Sequence, residues 1–131
     1  MASRCTLRIS SSALSTADIA RKLAMSPTKS YEKGEPLGAD QRKTRDQSLA
    51  LFESDALPNA PLQEHIAAVL KSLAHRESVL EELSRECSVD LFCMYSSVSG
   101  QGSCELDPHL LRELADRGLP LVIDLYPPSQ A

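Results

Sequence analysis

Side chains that can donate, accept or stack are spread unevenly along this sequence. Ser26-Pro27-Thr28-Lys29-Ser30-Tyr31-Glu32-Lys33-Gly34-Glu35-Pro36 gathers hydroxyls, two lysines, a tyrosine and a turn glycine in one short stretch. Lys29 and Lys33 offer cationic donors to an anionic group, and Tyr31 offers a face on which a ligand can stack. The competing expectation needs no ligand. Pro27, Gly34 and Pro36 would fix a turn, Tyr31 would pack on a sheet, and the Thr28 and Ser30 hydroxyls would satisfy an irregular backbone.

Two carboxylates stand in similar apolar settings, Val89-Asp90-Leu91-Phe92 and Ile123-Asp124-Leu125-Tyr126. On adjacent strands and close together in a cleft, Asp90 and Asp124 would form an acid/base pair or a cation site. Apart, each points to solvent or accepts a hydrogen bond from a neighbour. Cys5, Cys87, Cys93 and Cys104 include no Cys-x-x-Cys pair, and three of them lie in or beside apolar segments, the usual setting of inert thiols. His65, His75 and His109 are too dispersed for a metal site. No nucleophile elbow, phosphate loop or zincin motif is present, so no catalytic residue, metal or cofactor is expected.

These groups must be positioned by a small set of elements. Cys5 to Ser10 alternates apolar and polar residues as a strand does, and Ser15 or Thr16 can cap a helix reaching about Met25. Residues 28–47 lack a sustained period and read as a long basic loop. Ser48 to Ser54 reads as a second strand. Leu62, Ile66, Val69, Leu70, Leu73, Leu80 and Leu83 mark one long amphipathic helix over residues 60–85, capped by Asn59, with a lapse at Arg76 and Glu77. Ser88 to Ser96 and Gly102 to Leu106 read as a hairpin that sets Cys93, or after a one-residue slip Met94, opposite Cys104. Asp107-Pro108 starts a helix that Gly118 ends. The apolar run from Leu119 to Tyr126 predicts an inner strand, stopped by Pro127-Pro128.

The order is β-α-β-α-β-β-α-β: an α+β single domain over residues 1–131, a ferredoxin-like variant with a mixed or mostly antiparallel sheet and helices mainly on one face. The Pro-Thr-x-Ser-(aromatic)-x-x-Gly-(acidic)-Pro block of residues 27–36 resembles that of a bacterial family, domain of unknown function 4279. The resemblance continues through the long helix, the strand at Val89, the turn at Ser99, the helix start at Asp107 and the strand at Ile123. Many relatives carry tryptophan where this chain has Tyr31. The resemblance implies a small bacterial protein and carries over no catalytic residue.

With 131 residues, 42% apolar and 24% charged, the chain can bury one core, and no apolar run suffices for a membrane-spanning helix. The net charge of −4 hides a split: residues 1–47 carry nine cationic and five anionic side chains, net +4, which leaves −8 for the remainder. An acidic chain in which only Tyr31 keeps basic company is not expected to bind nucleic acid. The N-terminus lacks the apolar stretch of an export signal, so a cytoplasmic location with free thiols is expected.

The expected function is a small binding module that uses residues 27–46 and the adjoining sheet to hold a protein partner. An immunity-type role, neutralising a toxin, is one case by analogy of size and charge. The alternative is a small-molecule enzyme or ligand sensor whose cleft joins the same segment to Asp90, Tyr95 and Asp124. A homodimer through an uncovered sheet face is also open.

Overall fold

Alternation along β1 (Ala2–Ser11) divides the molecule into two faces. Cys5, Leu7 and Ile9 are fully buried on one, while Arg4 and Arg8 point to the other. The computed structural model describes residues 2–96 and 103–126, without the side chains of residues 2, 40 and 41. β1 is the centre of a five-stranded sheet. It pairs antiparallel with β5 (Ser48–Glu53) on one side and β6 (Ser88–Ser96) on the other. β2 (Lys29–Tyr31) extends the β5 edge antiparallel, and β7 (Leu121–Tyr126) lies parallel to β6. The order is β2-β5-β1-β6-β7.

Four helices cover the apolar face: α1 (Thr16–Leu23), α2 (Leu62–Ser72), α3 (Glu77–Glu86) and α4 (Pro108–Asp116). Ile19, Leu23, Ile66, Val69, Leu80, Leu83, Leu110 and Leu114 join the inward side chains of β1, β5 and β6 in one core. Each fully buried leucine or isoleucine contributes about 1.5–3 kcal/mol relative to exposure. The α+β class with a mainly antiparallel sheet and helices on one face therefore holds.

Local chemistry explains the helix ends. The Ser15 hydroxyl accepts the Asp18 N–H, and the Asp18 carboxylate accepts the Ser15 N–H, a reciprocal box that starts α1. Asp107 accepts the Leu110 N–H ahead of Pro108 at the start of α4. The single long helix is corrected to α2 and α3, and α2 begins after Pro61 with no side-chain cap from Asn59. His75 takes a left-handed conformation, φ 66°, in the break. Arg76 then donates to the Leu23 carbonyl at 2.7 Å and to the Ala24 carbonyl at 3.4 Å, satisfying acceptors that the end of α1 leaves open.

Three further expectations are corrected. The 28–47 stretch is not a plain loop: it contains β2 and a separate hairpin of β3 (Pro36–Leu37) and β4 (Asp40–Thr44). The strand expected after β6 is absent from Ser103–Leu106, and the 97–101 turn lies outside the described residues. Cys93 consequently faces Cys5 on β1 and Ile123 on β7, not Cys104, and the ferredoxin-like hairpin gives way to a parallel β6-α4-β7 crossover. Finally, β7 sits at an end of the sheet, with Ile123 39% and Leu125 71% exposed. An apolar run on both faces fits a buried parallel strand and also an edge that one helix covers only partly.

Candidate functional site

On the face away from the helices, register brings opposite charges together. Arg8 of β1 lies directly across from Asp90 of β6, and its guanidinium grips the carboxylate at both ends, Nε to Oδ1 at 2.8 Å and Nη2 to Oδ2 at 2.7 Å. The same guanidinium lies 4.3 Å from the centre of the Phe92 ring. The Asp90 hydrogen bonds hold Arg8 still more firmly in its charged form. Charge, fork geometry and ring contact together fix both side chains.

The 26–36 block builds the other wall. The Thr28 N–H donates to the Leu51 carbonyl at 2.7 Å, and its hydroxyl accepts the Glu53 N–H at 2.9 Å, which docks β2 on β5. Glu32 reaches back to the start of α1, where its carboxylate accepts from the Thr16 N–H and hydroxyl. The Lys33 N–H donates to Ser48 Oγ and its ammonium to the Ser12 carbonyl. Gly34, at φ 92°, turns the chain so that its N–H donates to the Arg45 carbonyl at 2.9 Å, while the Arg45 N–H donates to the Glu35 carbonyl at 2.8 Å. These bonds carry the chain into and out of the β3-β4 hairpin.

Between that hairpin and the sheet lies a cleft of about 510 Å³. Leu37, Thr44, Arg45, Asp46 and Gln47 line it from the hairpin side, and Arg8, Ser10, Leu49, Ser88 and Asp90 from the sheet. The volume falls in the range of small-ligand sites. Arg45 stacks over the Tyr31 ring at 4.1 Å, and its Nε is buried with no hydrogen-bond partner among the described residues. Arg8 is committed to Asp90, so Arg45 is the lining cation without a carboxylate partner among the described residues.

The nine residues singled out from the sequence separate accordingly. Asp90 lines the cleft, Tyr31 supports Arg45 from below, and Gly34 positions the Arg45 main chain. Lys29 and Tyr31 lie opposite Leu51 and Leu49 on the cleft side of the sheet, whereas Ser30 lies opposite Ala50 on the other. Thr28 and Lys33 are held by the bonds above and do not line the cleft. Tyr95 is buried on the helix face, its hydroxyl donating to the Ser103 carbonyl at 3.3 Å, so it cannot share a cleft with Asp90. Asp124 lies opposite Met94, four residues beyond the level of Asp90, a displacement of roughly 13 Å along the strand. The two aspartates therefore form no pair; Asp124 instead raises the Tyr126 phenol by hydrogen bonding.

Arg8, Arg45, Asp46 and Gln47 were not singled out. Arg8 carried a signal, since a cation on the polar phase of a central strand needs a partner across the sheet. Arg45 carried none beyond the local basic charge. Among the described residues no three His, Cys, Asp or Glu side chains converge so as to hold a metal ion. Ser54 Oγ lies 2.6 Å from His65 Nδ1 beneath α2, on the helix face.

No helix among the described residues is long and apolar enough to cross a membrane. No curated protein and no solved structure matches the chain. The sequence model of the family described as Domain of unknown function (DUF4279) matches residues 1–128, including the cleft, the hairpin above it and the whole sheet, and the chain belongs to that family.

Proposed function

We propose that this protein is a binding module that holds a small polar molecule bearing an anionic group in the cleft beneath the β3-β4 hairpin. The observation that carries this reading is Arg45: it lines a 510 Å³ cleft, is stacked on Tyr31, and has no carboxylate partner among the described residues. Its guanidinium supplies a planar donor set suited to a carboxylate or phosphate, while Thr44, Gln47, Ser10 and Ser88 supply neutral polar contacts nearby. Asp90 is saturated by Arg8 and serves to hold the sheet wall, so binding rather than proton transfer is the favoured role. Four free thiols accord with a cytoplasmic, reducing setting.

The test is nuclear magnetic resonance titration of the labelled protein with phosphate, citrate and glutamate, beside Arg45→Ala. Saturable shifts at Arg45, Gln47 and Ser88 that vanish in the variant support the reading. Shifts that persist in the variant, or none with any probe, would remove it. A second reading, a protein-interaction module, is supported by the exposed apolar side chains Val122, Ile123, Leu125 and Tyr126 of β7.

A further inference from the structure

Two cysteines face each other across the sheet's central strand pair. Cys5 of β1 and Cys93 of β6 are antiparallel partners, and both are fully buried on the helix face. The main chain of Cys5 is turned toward β5: its N–H donates to Ser54 Oγ at 3.3 Å, and its carbonyl accepts the Ser54 N–H at 2.8 Å. The N–H and C=O of one strand residue point the same way, so Cys5 exchanges no main-chain bonds with Cys93. Theirs is a non-hydrogen-bonded pair, in which Cα atoms lie about 4.5 Å apart and side chains approach most closely. A disulfide spans Cα separations of about 4.4–6.8 Å. Both side chains project from these paired positions into the same apolar core, and the neighbouring Cys93 sulfur together with burial raises the Cys5 thiol from its ordinary value.

We propose that Cys5 and Cys93 are a modification site, a dithiol that hydrogen peroxide closes into an intramolecular cross-strand disulfide. The Cys93 sulfur attacks one peroxide oxygen as its thiol proton leaves and the O–O bond breaks, giving a sulfenic acid on Cys93 and a hydroxide that takes up that proton as water. The Cys5 sulfur then attacks the sulfenic sulfur, the S–O bond breaks, and the Cys5 proton leaves with the departing oxygen as a second water. The two thiols give up two electrons and two protons, and one peroxide becomes two waters. Cys104 is exposed and Cys87 half-buried, so they compete for oxidant without being strand partners of either thiol. The site is independent of the cleft, which opens on the opposite face of the sheet.

The test treats a Cys87→Ser/Cys104→Ser protein with hydrogen peroxide and follows its intact mass. The expected result is loss of the mass of two hydrogens, reversed by dithiothreitol, on a slower course than oxidation of Cys104 in the unsubstituted protein. Adding Cys5→Ala should replace that loss with an oxygen adduct on Cys93. In parallel, the unsubstituted protein is oxidised, thiol-blocked and digested, so the answer does not depend on the variants folding. A linked peptide joining Cys5 to Cys93 supports the proposal. Oxygen adducts without that link, links only between molecules, or a pair that stays reduced under prolonged excess peroxide would each overturn it.

Discussion

The Arg8–Asp90 fork shows how a charged pair can serve a sheet without leaving water altogether. The side chains are 36% and 24% exposed, so solvent screens part of their attraction, but the two short bonds and the Phe92 contact limit their freedom. Asp90→Ala should lower stability by about 1–2 kcal/mol, read as a shift in the urea midpoint with unchanged slope. Asp18 gives a second prediction. The Ser15 N–H, then the Ser15 hydroxyl and Arg21, hold its carboxyl below the usual aspartate range. A depressed folded value means that the contribution is present above the unfolded value and is lost as pH falls through the folded one. Carboxyl-detected titration should place the Asp18 midpoint below that of an unstructured aspartate, and Ser15→Ala should return it upward.

Turns and breaks decide how far the elements could be read from the chain. Ser15, Asp18, Asp107 and Pro108 carry helix starts in their own side chains, and α1 and α4 were legible for that reason. The α2–α3 break was visible only as a lapse in the apolar stripe, because what fixes it is Arg76 bonding to the distant end of α1. The β3-β4 hairpin was missed because its strands carry Lys, Arg and Pro, with no buried side chain among the described residues to impose a period of two. Backbone conformation supplies a prediction here. Ala24 ends α1 in the left-handed region at φ 55°, so Ala24→Gly should stabilise by about 0.5–1 kcal/mol in thermal unfolding, and Gly118→Ala, at φ 63°, should cost about as much. Replacing residues 36–44 by a short turn should leave the sheet's far-ultraviolet signature intact while abolishing any binding in the cleft, as calorimetry with the same anions would report.

For the molecule as a whole, strand order was the least legible property. Alternation marks β1 as a half-buried strand and Ser48 to Ser54 reads as a second strand, but only long-range pairing puts β1 between β5 and β6, and local pattern says nothing of that. The candidate site suffered likewise: Asp90 was conspicuous, whereas Arg8, its partner, is 82 residues away. At the far end of the sheet, Leu125 is 71% exposed. Leu125→Lys should change stability by under about 0.5 kcal/mol while removing any concentration dependence in sedimentation velocity.

The central position of β1 also bears on how the protein is made. Cys5 meets Ser54 across 49 residues, and Arg8 meets Asp90 across 82. During synthesis the row Cys5, Leu7 and Ile9 therefore waits, unpaired and apolar, until β5 and then β6 have left the ribosome. Such non-local pairing slows folding and lengthens the interval in which a nascent chain can be captured. The strand that organises the finished sheet is thus satisfied only by partners made long after it, and refolding yield should fall as protein concentration rises.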